Sequence, residues 1–307
     1  MKQVIIIIIL LLIALGVFGW YQGWFDTGIN ITPNGEDTTD DESGDSATTT
    51  DNSAGSGDGI GPDGGSIGKS AGGREITAYR YGSGSTELLF VGGIHGGYSA
   101  NTALVAFELM DWLEENPGEV PENVSVTVIP VLNPDGLNET LGTTGRFAVA
   151  DIPAREDRVS GRFNANGVDL NRNFDCNWQS TGTWQSQDVN AGSQVFSEPE
   201  SQALRDYVRA KDVAAAVVFY SAVGEVVASS CNQDALAETQ QLVTAYASAS
   251  GYTPQESFDY YEITGDAADW LAKEGVPAIS VVLSTHNSAE WSKNRAGVQA
   301  LLDRYKN

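Results

Sequence analysis

The 307-residue chain holds two histidines. One of them, His95, lies in VGGIHGGYSANT (91–102), where an apolar run gives way to glycines. An imidazole so placed can bind a metal, carry a proton or make a fixed hydrogen bond. His286 begins a polar stretch, HNSAEW, where a local polar contact is the simpler expectation. Ser99, four residues after His95, raises a serine-hydrolase reading in which HGG resembles an oxyanion-hole loop. Residues that close share one turn, and no G-x-S-x-G follows a strand, so the reading is weak. GGSIG (64–68) fits that elbow pattern and GKS (68–70) fits part of a phosphate-binding loop, with Asp63 in place of its first glycine. Neither follows a predicted strand, which both mechanisms need to aim the loop.

The elements that must hold these residues alternate. EITAYRYG (75–82) and ELLFVGG (87–93) read as strands, and NTALVAFELMDWLEEN (101–116) as a helix with Leu104, Phe107, Leu109 or Met110, and Leu113 on or near one face. NVSVTVIPVL (123–132) is a further strand ending in the turn NPDG, and a long loop follows to about Cys176. SEPESQALRDYVRA begins with Ser197 and Glu200 at capping-box spacing, the signature of a helix start. AAAVVFYSA (214–222) and VPAISVVLST are unbroken apolar runs, as in strands covered on both faces, and three further helices alternate with or follow them. The pattern predicts one α/β domain over residues 75–307, a mainly parallel or mixed twisted sheet flanked by helices. In such sheets function collects at the carboxyl ends of the strands, where His95, NPDG, Tyr220 and Ser284 fall.

The amino end belongs to a different class. VIIIIILLLIALGVFGW (4–20) is long enough to span a bilayer, with Lys2 before it, acids after it, and Trp20, Tyr21, Trp24 and Phe25 where an interfacial belt belongs. Residues 1–25 therefore read as a membrane anchor; a cleaved signal peptide is the rival, against which stands the lack of a small-residue cleavage pair. Residues 26–74 are acidic, rich in Gly, Ser and Thr and poor in large apolar side chains, which predicts a disordered linker. This arrangement places the domain outside the cytoplasm, at the cell surface. The net charge of −24 argues against nucleic-acid binding. Cys176 and Cys231 are the only cysteines, and in an exported chain they most simply form one disulfide.

Taken together, GGIHGG, NPDG, GRFNANGVDLNRNFDCNW, FSEPES, GDAADWLAKEGVPA and STHNSAEW resemble the zinc-carboxypeptidase family of metallopeptidases, in order over residues 75–307. The resemblance implies a zinc held by the His of the opening motif, by an acid about three residues later and by a second His ending a central strand. A Glu on the last strand would act as general base. His95 is present, but Tyr98 and Ser99 stand where the acid belongs, Tyr220 where the second His belongs, and Val282 where the Glu belongs. A phenol binds a divalent metal poorly until it loses a proton near pH 10, and valine can take no proton from a bound water. His95 thus reads as a remnant.

The resemblance also assigns Asn171 and Arg172 to the pair that grips a substrate's terminal carboxylate, a task suited to a guanidinium fork. Arg162 resembles the arginine that polarises the scissile carbonyl. The alternatives are structural: an ion pair of Arg172 with a nearby acid such as Asp169 or Asp175, and the same kind of account for Arg162. Cys176 in DCNW and Cys231 after the central strand suit the family's layout. The expected function is a pseudopeptidase, tethered to the membrane, that binds peptides with a free C-terminal carboxylate, cell-wall peptides among them, and carries no metal. The alternative is an active zinc carboxypeptidase that recruits Asp169, Asp175 or Glu225 beside His95. A purely structural spacer is a further possibility.

Overall fold

The computed structural model of the chain describes residues 61–306, and the apolar segment and most of the linker lie outside the described residues. Among the described residues no helix is long and apolar enough to cross a membrane. An eight-stranded mixed sheet has the order β1-β2-β4-β3-β7-β10-β8-β9. Its strands are β1 (Gly65–Lys69), β2 (Glu75–Tyr81), β3 (Thr86–Val91), β4 (Val124–Ile129), β7 (Val213–Ser221), β8 (Glu225–Ala228), β9 (Thr253–Gln255) and β10 (Ala278–Leu283). β4, β3, β7 and β10 run parallel in the middle. β2 and β8 flank them antiparallel. The short strands β5 (Thr181–Trp184) and β6 (Gln187–Asn190) form a separate hairpin.

Six helices accompany the sheet among the described residues: α1 (Ala100–Glu115), α2 (Pro134–Leu141), α3 (Pro199–Ala210), α4 (Ala237–Ser250), α5 (Ala267–Lys273) and α6 (Trp291–Tyr305). The two-residue period of the strands divides their side chains between two cores. Leu88, Phe90, Val217, Phe219, Val281 and Leu283 face one, with Phe107, Tyr246 and Leu301 of α1, α4 and α6. Leu89, Val91, Val218, Tyr220 and Val282 face the other, with Leu204 and Tyr207 of α3 and Trp270 of α5. Both faces are covered, which is why the central strands read as unbroken apolar runs.

Three local expectations are corrected. Residues 65–69 form a strand and not part of a linker: β1 pairs antiparallel with β2, and Ile67 packs on the second core. Just beyond it, the backbone N–H groups of Ala71 and Gly72 donate to the buried carboxylates of Glu200 and Asp135, contacts too distant in sequence for composition to show. NPDG is not a free turn but the start of α2, where Asn133 Oδ1 accepts from Gly136 N at 2.8 Å. The capping box of Ser197 and Glu200 does not form. Ser197 Oγ instead donates to Glu198, and the Glu200 carboxylate is engaged by Ala71 N and Asn164.

Candidate functional site

A cavity of about 720 Å³ opens beside the carboxyl ends of β3, β7 and β10. Parallel register puts Tyr220 beside Val282, and Val91 beside Val218, so the three strands end together. His95, Tyr98, Arg162, Asn171, Arg172, Tyr220 and Val282 all line this cavity. Ser99, which begins α1, does not; its Oγ and His95 Nε2 each lack a hydrogen-bond partner, so no Ser–His pair exists.

Arg172 is 1% exposed. It lies in a short turn, Leu170–Arg172, begun by Asp169, whose carboxylate accepts from Asn171 N. Gly265 and Gly182 let the backbone and the side chain of Arg172 approach. A Cβ on Gly265 would fall 2.1 Å from the Arg172 carbonyl oxygen, and one on Gly182 2.6 Å from Arg172 Cδ. Of five guanidinium N–H groups, two donate to the Thr183 carbonyl at 3.2 and 2.7 Å and one to the Asn171 carbonyl at 2.8 Å. Two remain for a ligand. The alternative ion pair is not made: Asp169 is held by Arg162, and Asp175 by Lys273. Asn171 is fixed through its side chain, donating to Asp266 Oδ2 at 2.7 Å and accepting from Tyr220 Oη at 3.0 Å and Ala267 N at 3.1 Å.

Arg162 takes its structural alternative. Its Nε and Nη2 lie 2.8 and 2.7 Å from Asp169 Oδ2, and its guanidinium stacks 4.5 Å from the Trp184 ring centre. Burial opposes ionisation of Asp169, but Arg162, Arg172 and His95 together hold its carboxyl below the ordinary range. Such a buried pair is secured less by its own attraction than by the cost of leaving either charge alone.

The metal side is different. His95 Nε2 lies 3.7 Å from Asp169 Oδ1, too far for a hydrogen bond, and has no other partner. The expected hydrogen-bonded remnant is therefore unbonded at that nitrogen; Asp169 Oδ1 accepts from Asn171 N, and Oδ2 from Arg162. Burial, then Arg162, push His95 well below its usual pKa, so the ring is neutral near pH 7. Tyr98 Oη accepts from Arg155 Nε and Nη2 at 3.1 and 2.7 Å. Tyr220 is buried, and burial and Asp266 raise its phenol well above its ordinary value, far from the phenolate that a cation would need. Val282 is buried and apolar. Among the described residues no three His, Cys, Asp or Glu side chains form a metal-binding group. Of the replacement ligands considered from sequence, Asp169 lies beside His95 but is paired with Arg162, while Glu225 is taken by Gln255 and Tyr260 and Asp175 lies in its own ion pair. The donors present do not fit the three-ligand set that catalytic zinc uses.

Several cavity residues escaped the sequence reading. Asp266 caps α5 through Ala268 N and Asp269 N, and Asp269 accepts from Ser230 N. Burial, then Asp266, raise the Asp269 carboxyl to about 8. An Asp just before a helical pattern signalled the cap, but not its place in the cavity. Trp184 and Arg155 had no signal, since the hairpin and the 155–158 turn lack periodicity. His286 makes no polar side-chain contact through Nδ1, against expectation; its ring meets Tyr98 edge-on at 5.1 Å, an aromatic contact that turns the nitrogen away from solvent. Cys176 and Cys231 are joined, with Cα atoms 5.8 Å apart, as expected.

A mixed sheet with an arginine-lined cleft at its parallel strand ends is the architecture of a peptidase-type α/β domain. The chain belongs to the zinc carboxypeptidase family, whose sequence profile matches residues 65–302. It is 34% identical over 141 residues to bacteriocin BCN5 of Clostridium perfringens, covering 45% of this chain and 14% of that protein. It is 24% identical over 228 residues to gamma-D-glutamyl-L-diamino acid endopeptidase 1 of Lysinibacillus sphaericus, covering 68% of this chain and 57% of that one. The chain thus spans less than two thirds of these relatives. Its fold is similar to that of the murein-tripeptide amidase MpaA of Escherichia coli O157, with a TM-score of 0.55, 22% identity and coverage of 80% and 92%. It is also similar to bovine thrombin-activatable fibrinolysis inhibitor, with a TM-score of 0.62, 19% identity and coverage of 78% and 86%.

Proposed function

We propose that the chain is a membrane-tethered, extracytoplasmic carboxypeptidase-like domain that binds peptide C-termini, cell-wall peptides among them, without cleaving them. One observation carries the reading: Arg172, buried on the cavity with two N–H groups to spare, is fully positioned beside strand ends that present Tyr98, Tyr220 and Val282. A planar guanidinium with paired donors suits a carboxylate, and a water-poor wall strengthens the bond. Val282, standing where the family's general base would be, can take no proton from a water molecule. The names of two similar proteins, a murein-tripeptide amidase and a gamma-D-glutamyl-L-diamino acid endopeptidase, support cell-wall peptides as the ligand class. Asp269 adds to the cavity a carboxyl group, protonated near neutral pH, that can hydrogen-bond a polar group of such a ligand. The apolar run at residues 4–20 and the acidic stretch after it support the tether and its orientation.

Calorimetric titration with a short acetylated peptide and its C-terminal amide tests this. The free acid is expected to bind the tighter of the two, and incubation is expected to leave it uncut. Equal affinities would remove the clamp, and release of the terminal residue in the presence of zinc would restore the enzyme.

A further inference from the structure

The carboxylate clamp uses one side of the cavity and leaves a second set of polar groups, Arg155 among them, without a task. Arg155 lines the cavity and donates two N–H groups to Tyr98 Oη, which leaves three. It has no carboxylate partner among the described residues. His286 lies against Tyr98, and its Nδ1 is buried without a partner. His95 Nε2, more than nine-tenths buried on the same cavity, is also unpaired. Arg158 holds the adjoining loop by donating to the His286 carbonyl and to Asn287 Oδ1. Burial, then Arg155, Arg158 and Arg162, push His286 down to about 4, so its ring is neutral near pH 7 and the charge of this wall is that of its arginines. The carboxylate in its midst, Asp169, is already committed to Arg162. In a chain of net charge −24, Arg155, Arg158 and Arg162 form a local concentration of positive charge that favours an anion.

The position of this wall suggests the ligand. Arg172 bonds to the carbonyl of Thr183, the neighbouring Trp184 packs on Tyr98 with ring centres 4.9 Å apart, and Tyr98 receives Arg155. Arg172 and Arg155 are thus linked through one run of neighbours, Thr183, Trp184 and Tyr98.

We propose that Arg155, seated on Tyr98 and beside His286, forms a second anion subsite that takes a carboxylate carried by the penultimate residue of a bound peptide. The inference rests on the reading that Arg172 holds the C-terminal carboxylate. The ligand is then a peptide with two acidic groups near its end, and the guanidinium stands on the side of the cavity where a family enzyme would use its metal.

Four ligands test it by calorimetric titration of the full chain: acetyl-Glu-Ala, acetyl-Gln-Ala and the C-terminal amide of each. Acetyl-Glu-Ala is expected to bind roughly tenfold tighter than acetyl-Gln-Ala, as for one charge-assisted bond in a partly desolvated site. Arg155→Gln should abolish that preference while leaving the affinity for acetyl-Gln-Ala unchanged, and Arg155→Lys should keep part of it. Arg155 is exposed, so an unchanged unfolding midpoint is expected for both variants. Equal binding of the Glu and Gln peptides to the wild type, or a Glu preference that survives Arg155→Gln, would overturn the second subsite. The clamp is read separately, from the acid against the amide at fixed penultimate residue. Failure of all four ligands to bind would overturn both.

Discussion

On the clamp side of the cavity, Asp169, Arg162, Asn171 and Arg172 are each held by at least two neighbours, and the turn that carries them is fixed from α5, β5 and β7. On the strand-end side, His95 has an unpaired nitrogen, Tyr98 leans on a surface arginine and Val282 offers nothing. The contrast reflects how each site is built. The turn bearing Asn171 and Arg172 keeps its shape through bonds from α5, β5 and β7. The family's metal site needs a histidine and an acid from one strand end and a second histidine from another, and replacing two of the three leaves the remaining histidine without partners.

Changes that strike the clamp side are expected to cost the most. Asp169→Asn would strand the buried Arg162 charge and should lower stability by about 3–5 kcal/mol, read by urea denaturation. A loss below about 1 kcal/mol would mean that the pair does not organise this wall. The disulfide comes next. It closes a sequence separation of 55 residues between the clamp segment and the loop after β8, so Cys176→Ala with Cys231→Ala should cost about 2–4 kcal/mol.

A pH effect belongs to the carboxylates shared by both sides. Asp269 rises from 3.8 to about 8 through burial and then Asp266. Between those values the unfolded chain has released a proton that the folded chain keeps. The stabilisation is therefore full below the lower value and declines as pH climbs through the window. Asp269→Asn should flatten that decline and raise relative stability at the alkaline end, seen in urea midpoints at the two extremes; an unchanged slope would place the carboxyl in an ordinary environment. The smallest change expected is Tyr220→Phe, which removes the hydrogen bond to Asn171 and should cost about 1 kcal/mol while leaving peptide affinity close to wild type. Strong loss of binding there would give the strand-end side a part in ligand capture.

The layout of the domain was legible where periodicity is strong. The buried β7 and β10, the helices after them and the two cysteines stood out because unbroken apolar runs and spaced motifs survive without knowledge of neighbours. β8 and β9 are too short to show a period, and β1 gains its place from pairing with β2 and from Ile67 packing on the second core. Of the candidate site, His95, Asn171 and Arg172 could be named from motifs, as could the mismatches at Tyr98, Tyr220 and Val282. What Arg162 does was undecidable, since pairing with Asp169 and stacking on Trp184 depend on a hairpin with no sequence signature. Arg155 and Asp269 were invisible for the same reason: they acquire a role only when a loop or a helix start is brought to the cavity.

Metal content of the purified full chain, prepared without chelator or affinity-tag histidines and measured by elemental analysis, tests the central claim most directly. Zinc far below one atom per chain, in a protein that still binds the free-acid peptide in preference to its amide, is the expected result. One tightly held zinc per chain, lost in His95→Ala, would contradict it and return this cavity to catalysis.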